Sequence, residues 1–170
     1  MTNIIIIQKK EKNSADFFFN RKKFNCIIGF GGIGFKKREG DGITPKGIFK
    51  LNSFFYRKDK VSNLRSILKK KKIEPFMGWS SDSRDPNYNK LIKKPYRFFH
   101  ENLYRSDECY DLILCLNYNT RFRLSHRGSA IFLHCKKNNQ NFTDGCVAIK
   151  KEILVDLLKT ISSSTQIIIK

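Results

Sequence analysis

The apolar residues of this chain fall in short runs, and few of those runs repeat with a helical period. "IIII" (4–7), "FNCIIGF" (24–30), "GIFKLNSFF" (47–55), "YDLILCLN" (110–117), "SAIFLH" (129–134) and "TQIIIK" (165–170) are each of strand length and separated by Gly, Pro, Asn and Asp. Such runs, rich in isoleucine, leucine and phenylalanine and bounded by turn residues, read as strands. The first is apolar throughout, which predicts a strand that is central or buried on both faces. Helical spacing occurs twice. Leu64, Ile67 and Leu68 predict a short helix over 63–72, and Ile153, Leu154, Leu157, Leu158 and Ile161 predict one after Cys146. Residues 73–100 are rich in Ser, Asp, Asn and Pro around the only tryptophan, Trp79, and read as a long irregular segment of the kind that usually carries function. The expected architecture is mainly β: one domain over residues 1–170, a sandwich or barrel with one or two covering helices.

A formal charge of +19 on 170 residues raises the question of a polyanionic partner. The basic residues are scattered, however, and the single dense run, "KKKK" (69–72), reads as a solvated helix end. A nucleic-acid-binding module is the competing functional class. It would use Phe17 to Phe19, Phe54, Phe55, Tyr56, Phe98 and Phe99 as stacking platforms, but aromatics in apolar runs read first as core. No nucleic acid is expected as a partner. No stretch approaches the roughly 18 apolar residues needed to span a membrane. The isoleucines of "MTNIIIIQKK" precede the lysines, the reverse of a secretion signal, so the sequence itself points to the cytoplasm.

"GFGGIG" (29–34) spells the G-x-G-x-x-G of dinucleotide-binding loops. That chemistry needs a helix directly after the loop, whose amides meet the phosphates. Here "KKREGDGITPKG" follows, where Gly40, Gly42, Pro45 and Gly47 would break a helix at once. The segment therefore reads as a glycine-rich strand or bulge, and no cofactor is expected.

The residues able to do chemistry gather near the end of the chain. A predicted strand ends in His134, a polar loop follows, and Gly145-Cys146 comes 12 positions after the histidine. A thiol needs a base to become a nucleophile at neutral pH, and imidazole is the usual one. Gly145 would let a substrate backbone approach, and the amides around it could form an oxyanion hole near the start of the following helix. A rival reading makes His134, Cys135 and Cys146 zinc ligands, but paired ligand spacing is missing, and no metal is expected. Cys26, Cys109, Cys115, Cys135 and Cys146 contain no C-x-x-C pair and no disulfide framework. Cys26 and Cys115 lie in apolar strand patterns and should be buried and inert. His100 and His126 read as surface residues.

"IFLHCKKNNQNFTDGCVAI" resembles the catalytic segment of the L,D-transpeptidase catalytic-domain (YkuD-like) family, in which a strand-end His is followed by Ser/Thr-x-Gly-Cys. "REGDGITPKGIF" resembles its Thr-Pro-x-Gly-x-Phe entry (Thr44, Pro45, Gly47, Phe49), and "GWSSDSRDPNYN" and "YDLILCLNYN" resemble the branch with Thr-x-Gly-Cys-Val-Ala. The likeness runs from about Gly29 to the C-terminus. It implies that Cys146 is the nucleophile and His134 its proton acceptor. The Cys135 carbonyl would orient the imidazole, the amides of Asp144, Gly145 and Cys146 would hold the oxyanion, and Thr143 would bind substrate. It implies acyl transfer on peptidoglycan stem peptides by a monomer, with a thioester resolved by an amine or by water, and a place in the cell envelope. Two departures stand out: Asp144 and Ala148 replace the His before, and the Arg or Asn after, the Gly-Cys of many members.

Overall fold

The computed structural model describes residues 4–170. A first hairpin pairs β1 (Ile4–Lys9) with β2 (Ser14–Phe19), and a second pairs β2 with β3 (Lys22–Ile27). The second turns at Asn20 and Arg21, both with left-handed φ (49° and 61°), the conformation of a tight two-residue hairpin turn. Two short strands, β4 (Ile33–Gly34) and β5 (Thr44–Pro45), lead into the ten-residue β6 (Gly47–Tyr56). Then follow β7 (Lys70–Lys72), β8 (Met77–Ser80), β9 (Leu91–Lys93), β10 (His100–Asn102), β11 (Leu112–Leu116), β12 (Phe132–Cys135) and β13 (Val147–Ile149). The α-helix α1 (Lys151–Leu158) and the strand β14 (Gln166–Ile169) complete the order.

Nine strands form one sheet in the order β11-β12-β13-β3-β2-β1-β14-β6-β7. It closes into a barrel because β6 is long enough to serve two neighbours: Gly47 to Lys50 pair with β14, and Leu51 to Tyr56 pair with β11. The pairing with β11 shifts register between Cys115 and Leu116, the irregularity that lets the strand turn the corner. The fold is thus mainly β, a closed sheet with one helix.

Period-two alternation sorts the side chains into two cores. Ile5 and Ile7, Phe17, Leu51 and Phe54, Leu112 and Leu114, Leu133, Val147 and Ile149, and Ile167 and Ile169 point into the barrel, where Leu154, Leu157 and Leu158 of α1 join them. The opposite faces of β11 and β12 supply Ile113, Cys115 and Phe132 to a second cluster. There they meet Phe55, Tyr110 and Trp79 beneath the three-stranded sheet β10-β8-β9. β11 is therefore buried on both faces, which explains its unbroken apolar sequence.

The isoleucine run is central in the sheet, one of the two expected placements, with Ile5 and Ile7 fully buried and Ile4 48% exposed. Several other sequence expectations need correction. Residues 63–72 form no helix. Asn63 takes a left-handed φ of 56°, Ile67 is 83% exposed, and the backbone of 69–73 bonds along the edge of β6. An isolated ten-residue helix is marginal, and a ready strand edge satisfies the same amides better. Three of the four lysines, Lys70 to Lys72, hence lie on an edge strand, where charge discourages pairing with another chain. Residues 73–100 carry β8 and β9 and lead directly into β10. β2 was not foreseen. Of the proposed stacking aromatics, Phe17, Phe19, Phe54 and Phe55 are buried, and Phe99 alone is exposed. No helix among the described residues is long and apolar enough to cross a membrane.

Candidate active site

β12 and β13 run parallel with Leu133 opposite Val147 and His134 opposite Ala148. Leu133 and Cys135 point into the barrel, so Phe132 and His134 face outward, and Cys146, just before β13, reaches the same outer face. Between the two predicted features of the sequence, Cys146 and the helix, lies a strand that was not foreseen. The N-terminus of α1 is five residues beyond the thiol, with β13 in between.

His134 and Cys146 line one cleft of about 650 Å³, together with Glu101, Tyr110 and Asp144. The ring of Tyr110 stands edge-on to that of His134, with centroids 5.5 Å apart. His134 Nδ1 lies 2.9 Å from the Cys135 carbonyl oxygen. A carbonyl can only accept, so Nδ1 carries the proton and Nε2 keeps its lone pair. Burial lowers the imidazole pKa to about 4, so the ring is neutral at physiological pH.

The thiol of Cys146 is held by the main chain. It donates to Ala130 O at 3.0 Å and accepts from Phe132 N at 3.4 Å. Among the described residues no hydrogen bond joins it to His134. The register explains this, because Cys146 comes beside Phe132 and the imidazole lies one diagonal pair away. Burial pushes the thiol pKa up, Glu101 adds to the rise, and the Phe132 amide and Lys36 oppose it. At rest, then, thiol and imidazole are both neutral. Asp144 is exposed and contributes least to the shift, so the carboxylate beside the thiol is a weak perturbation.

Thr143 lines the cleft and also holds the turn. Its hydroxyl donates to Cys146 O at 2.6 Å and accepts from Gly145 N at 3.2 Å, which braces the turn that presents the thiol. The Gly145 amide is thereby engaged and is not available to an oxyanion, a correction to the sequence reading. Gly145 itself has φ of 132°, and a Cβ there would lie 2.9 Å from Ile43 O, so no larger residue fits the turn.

The glycine-rich segment supports this turn. Phe30 N donates to Thr143 O, Thr143 N to Ile28 O, and Gly29 N to Thr44 Oγ1. A Cβ on Gly29 would sit 1.9 Å from Gly42 O, so the glycine allows two backbones to touch behind the site. Cys135 Sγ faces Leu112 O inside the barrel, away from His134, so the three proposed zinc ligands do not converge.

Sequence reasoning missed Lys36. Its buried Nζ pairs with Asp41 Oδ1 at 2.5 Å and donates to Ile43 O at 3.2 Å, under the turn that carries Gly145. It missed Asn89 as well. Asn89 Oδ1 accepts from Trp79 Nε1 and Ala130 N, while its Nδ2 donates to the carbonyls of Tyr118 and Asn119. That side chain fixes Ala130, the residue whose carbonyl holds the thiol. A lysine among 34 basic residues and an asparagine in a polar stretch carry no local signal of these roles.

A closed β barrel with a histidine on one strand and a cysteine at the entry to its neighbour defines a class, and comparison with known proteins supplies the family. The L,D-transpeptidase catalytic domain (YkuD) matches residues 2–169, and the chain belongs to that family. Bd1075 of Bdellovibrio bacteriovorus is similar in structure, with 18% identity and a TM-score of 0.48 over 99% of this chain and 47% of that one. An L,D-transpeptidase from Mycobacterium smegmatis is similar with 10% identity and a TM-score of 0.42 over 99% of this chain and 58% of that one. The chain thus spans about half the length of these solved structures. No curated protein matches it.

Proposed function

We propose that this protein is a cysteine acyltransferase of the L,D-transpeptidase type acting on peptidoglycan stem peptides, in the branch with a Thr-x-Gly-Cys-Val-Ala signature. The observation that carries the reading is the fixed tautomer of His134: its proton is committed to the Cys135 carbonyl, and its free nitrogen shares a cleft with the Cys146 thiol. Family membership supplies the substrate class.

In this mechanism a bound stem displaces the thiol from Ala130 O, and the sulfur turns towards Nε2. The imidazole takes the proton as sulfur attacks the carbonyl between the diamino acid and the terminal D-alanine. A neutral pair that transfers its proton only on attack suits a buried site where separated charges are costly. The amides of Asp144 and Cys146 hold the oxyanion, and Thr143 keeps their turn in place. The imidazolium then returns its proton to the leaving amine, and the thioester remains on Cys146.

Incubation with purified muropeptides, followed by mass spectrometry, tests the reading. Cys146→Ala should lose all turnover and keep its fold, and His134→Gln should slow the reaction by on the order of 10²–10⁴-fold. Full activity in the alanine variant would exclude Cys146 as nucleophile.

A further inference from the structure

The cleft contains a carboxylate that the first half of this mechanism does not use. Glu101 lies on β10, opposite Trp79 of β8, and lines the same cleft as Cys146. Tyr110 Oη donates to its Oε1. In a protein with 34 basic residues several carboxylates are neutralised, as Asp41 is by Lys36, Asp107 by Arg105 and Asp111 by Lys151, whereas Glu39 and Asp144, which line the cleft with Glu101, form no ion pair among the described residues. Glu101 forms no ion pair among the described residues. Arg105, the cation that acts on it, is already held by both oxygens of Asp107, at 2.8 and 2.6 Å. Of the charges around the thiol, that of Glu101 acts most strongly. An unpaired carboxylate next to a nucleophile hinders thiolate formation, so its presence needs a compensating use in a later step.

We propose that Glu101 receives the acyl acceptor: its carboxylate binds the incoming ammonium group beside the Cys146 thioester and takes the proton the amine must lose before it attacks. The inference rests on the acyltransferase reading and adds to it a residue for the second half-reaction and a preference for an amine over water. The protons balance as follows. Glu101 takes one proton from the ammonium, and the free amine attacks the thioester carbonyl to form the new C–N bond. His134 Nε2 takes the second proton, the C–S bond breaks, and the leaving thiolate recovers that proton from the imidazolium. Glu101 then releases its proton to solvent. Burial raises the Glu101 pKa, which makes it a stronger proton acceptor than an exposed carboxylate. The Tyr110 bond fixes one oxygen and aims the group.

The test separates the two half-reactions. Wild-type protein and Glu101→Gln are given a tetrapeptide stem ending in diamino acid–D-alanine, with the side-chain amine of Nα-acetyl-lysine amide as acceptor. Intact-protein mass spectrometry follows the acyl-enzyme, and chromatography gives the ratio of amide to hydrolysed product. We expect Glu101→Gln to acylate at least as fast as wild type, since the charge that opposes the thiolate is gone, while its amide-to-acid ratio falls at least about tenfold. Glu101→Asp should recover part of that ratio. An unchanged ratio overturns the proposal, as does a variant that folds but fails to acylate, because Glu101 would then serve the donor. Should Glu101→Gln not fold, Glu101→Asp decides alone: drawing the carboxylate back by one methylene must lower the ratio. Absence of any acyl-enzyme in the wild type would instead overturn the acyltransferase reading itself.

Discussion

The buried imidazole makes a prediction about stability that needs no substrate. His134 is 4% exposed, and its pKa falls from an ordinary 6.5 to about 4. In the unfolded chain the ring takes its proton near 6.5; in the fold it does so only near 4. Between those values the unfolded state binds a proton that the folded state refuses, so stability is complete above pH 6.5 and is lost as pH falls towards 4. At about 1.4 kcal/mol per pH unit, that separation is worth about 3 kcal/mol. Urea unfolding followed by the fluorescence of Trp79, which packs edge-on against Phe132 at 5.2 Å, measures it at pH 7, 6, 5 and 4. The same series on His134→Gln removes the titrating ring and leaves every other ionisable group in common. The stability difference between the two chains should therefore change by about 3 kcal/mol between pH 7 and 4, with the wild type losing more. Parallel curves would refute the argument, since they would mean that the ring protonates equally well in the fold.

Two further outcomes follow from packing. Gly29→Ala should cost more than about 2 kcal/mol and lower Tm, because its Cβ collides with a backbone oxygen rather than a movable side chain; an unchanged Tm would deny the close approach behind the site. Under native conditions at neutral pH, iodoacetamide should label at most Cys146, and slowly: burial pushes its thiol up as it does those of Cys26, Cys115 and Cys135, but Cys146 alone of the five is not fully buried. Peptide mapping that finds label on any of those three would contradict their burial.

The strand-rich class was legible because the apolar runs were short and separated by turn residues, and α1 was legible because five apolar residues repeat on one face. The helix at 63–72 failed for a tertiary reason. Leu64, Ile67 and Leu68 have helical spacing, but the exposed edge of β6 offered the backbone a better set of partners. β13 escaped notice because three residues, Val147 to Ile149, are too few to show a period. Within the site, Cys146 and His134 were visible as chemical types on a strand end and a glycine turn. Their relative offset was not, since it depends on a parallel register that two strands fix only once the barrel has closed. Glu101, Lys36 and Asn89 reach the site from distant segments, and no pattern local to any of them marks that convergence.

The position of β14 has a consequence for biosynthesis. Gln166 to Ile169 lie between β1 and β6, parallel to the first and antiparallel to the second. A ribosome therefore delivers β1 and β6 more than 100 residues before the strand that joins them. Until then β1 and β6 each present an unpaired, isoleucine- and phenylalanine-rich edge, the kind of edge that recruits other chains. Closure across so long a stretch of sequence is slow compared with local pairing. Pairing of β14 covers both of these edges at once.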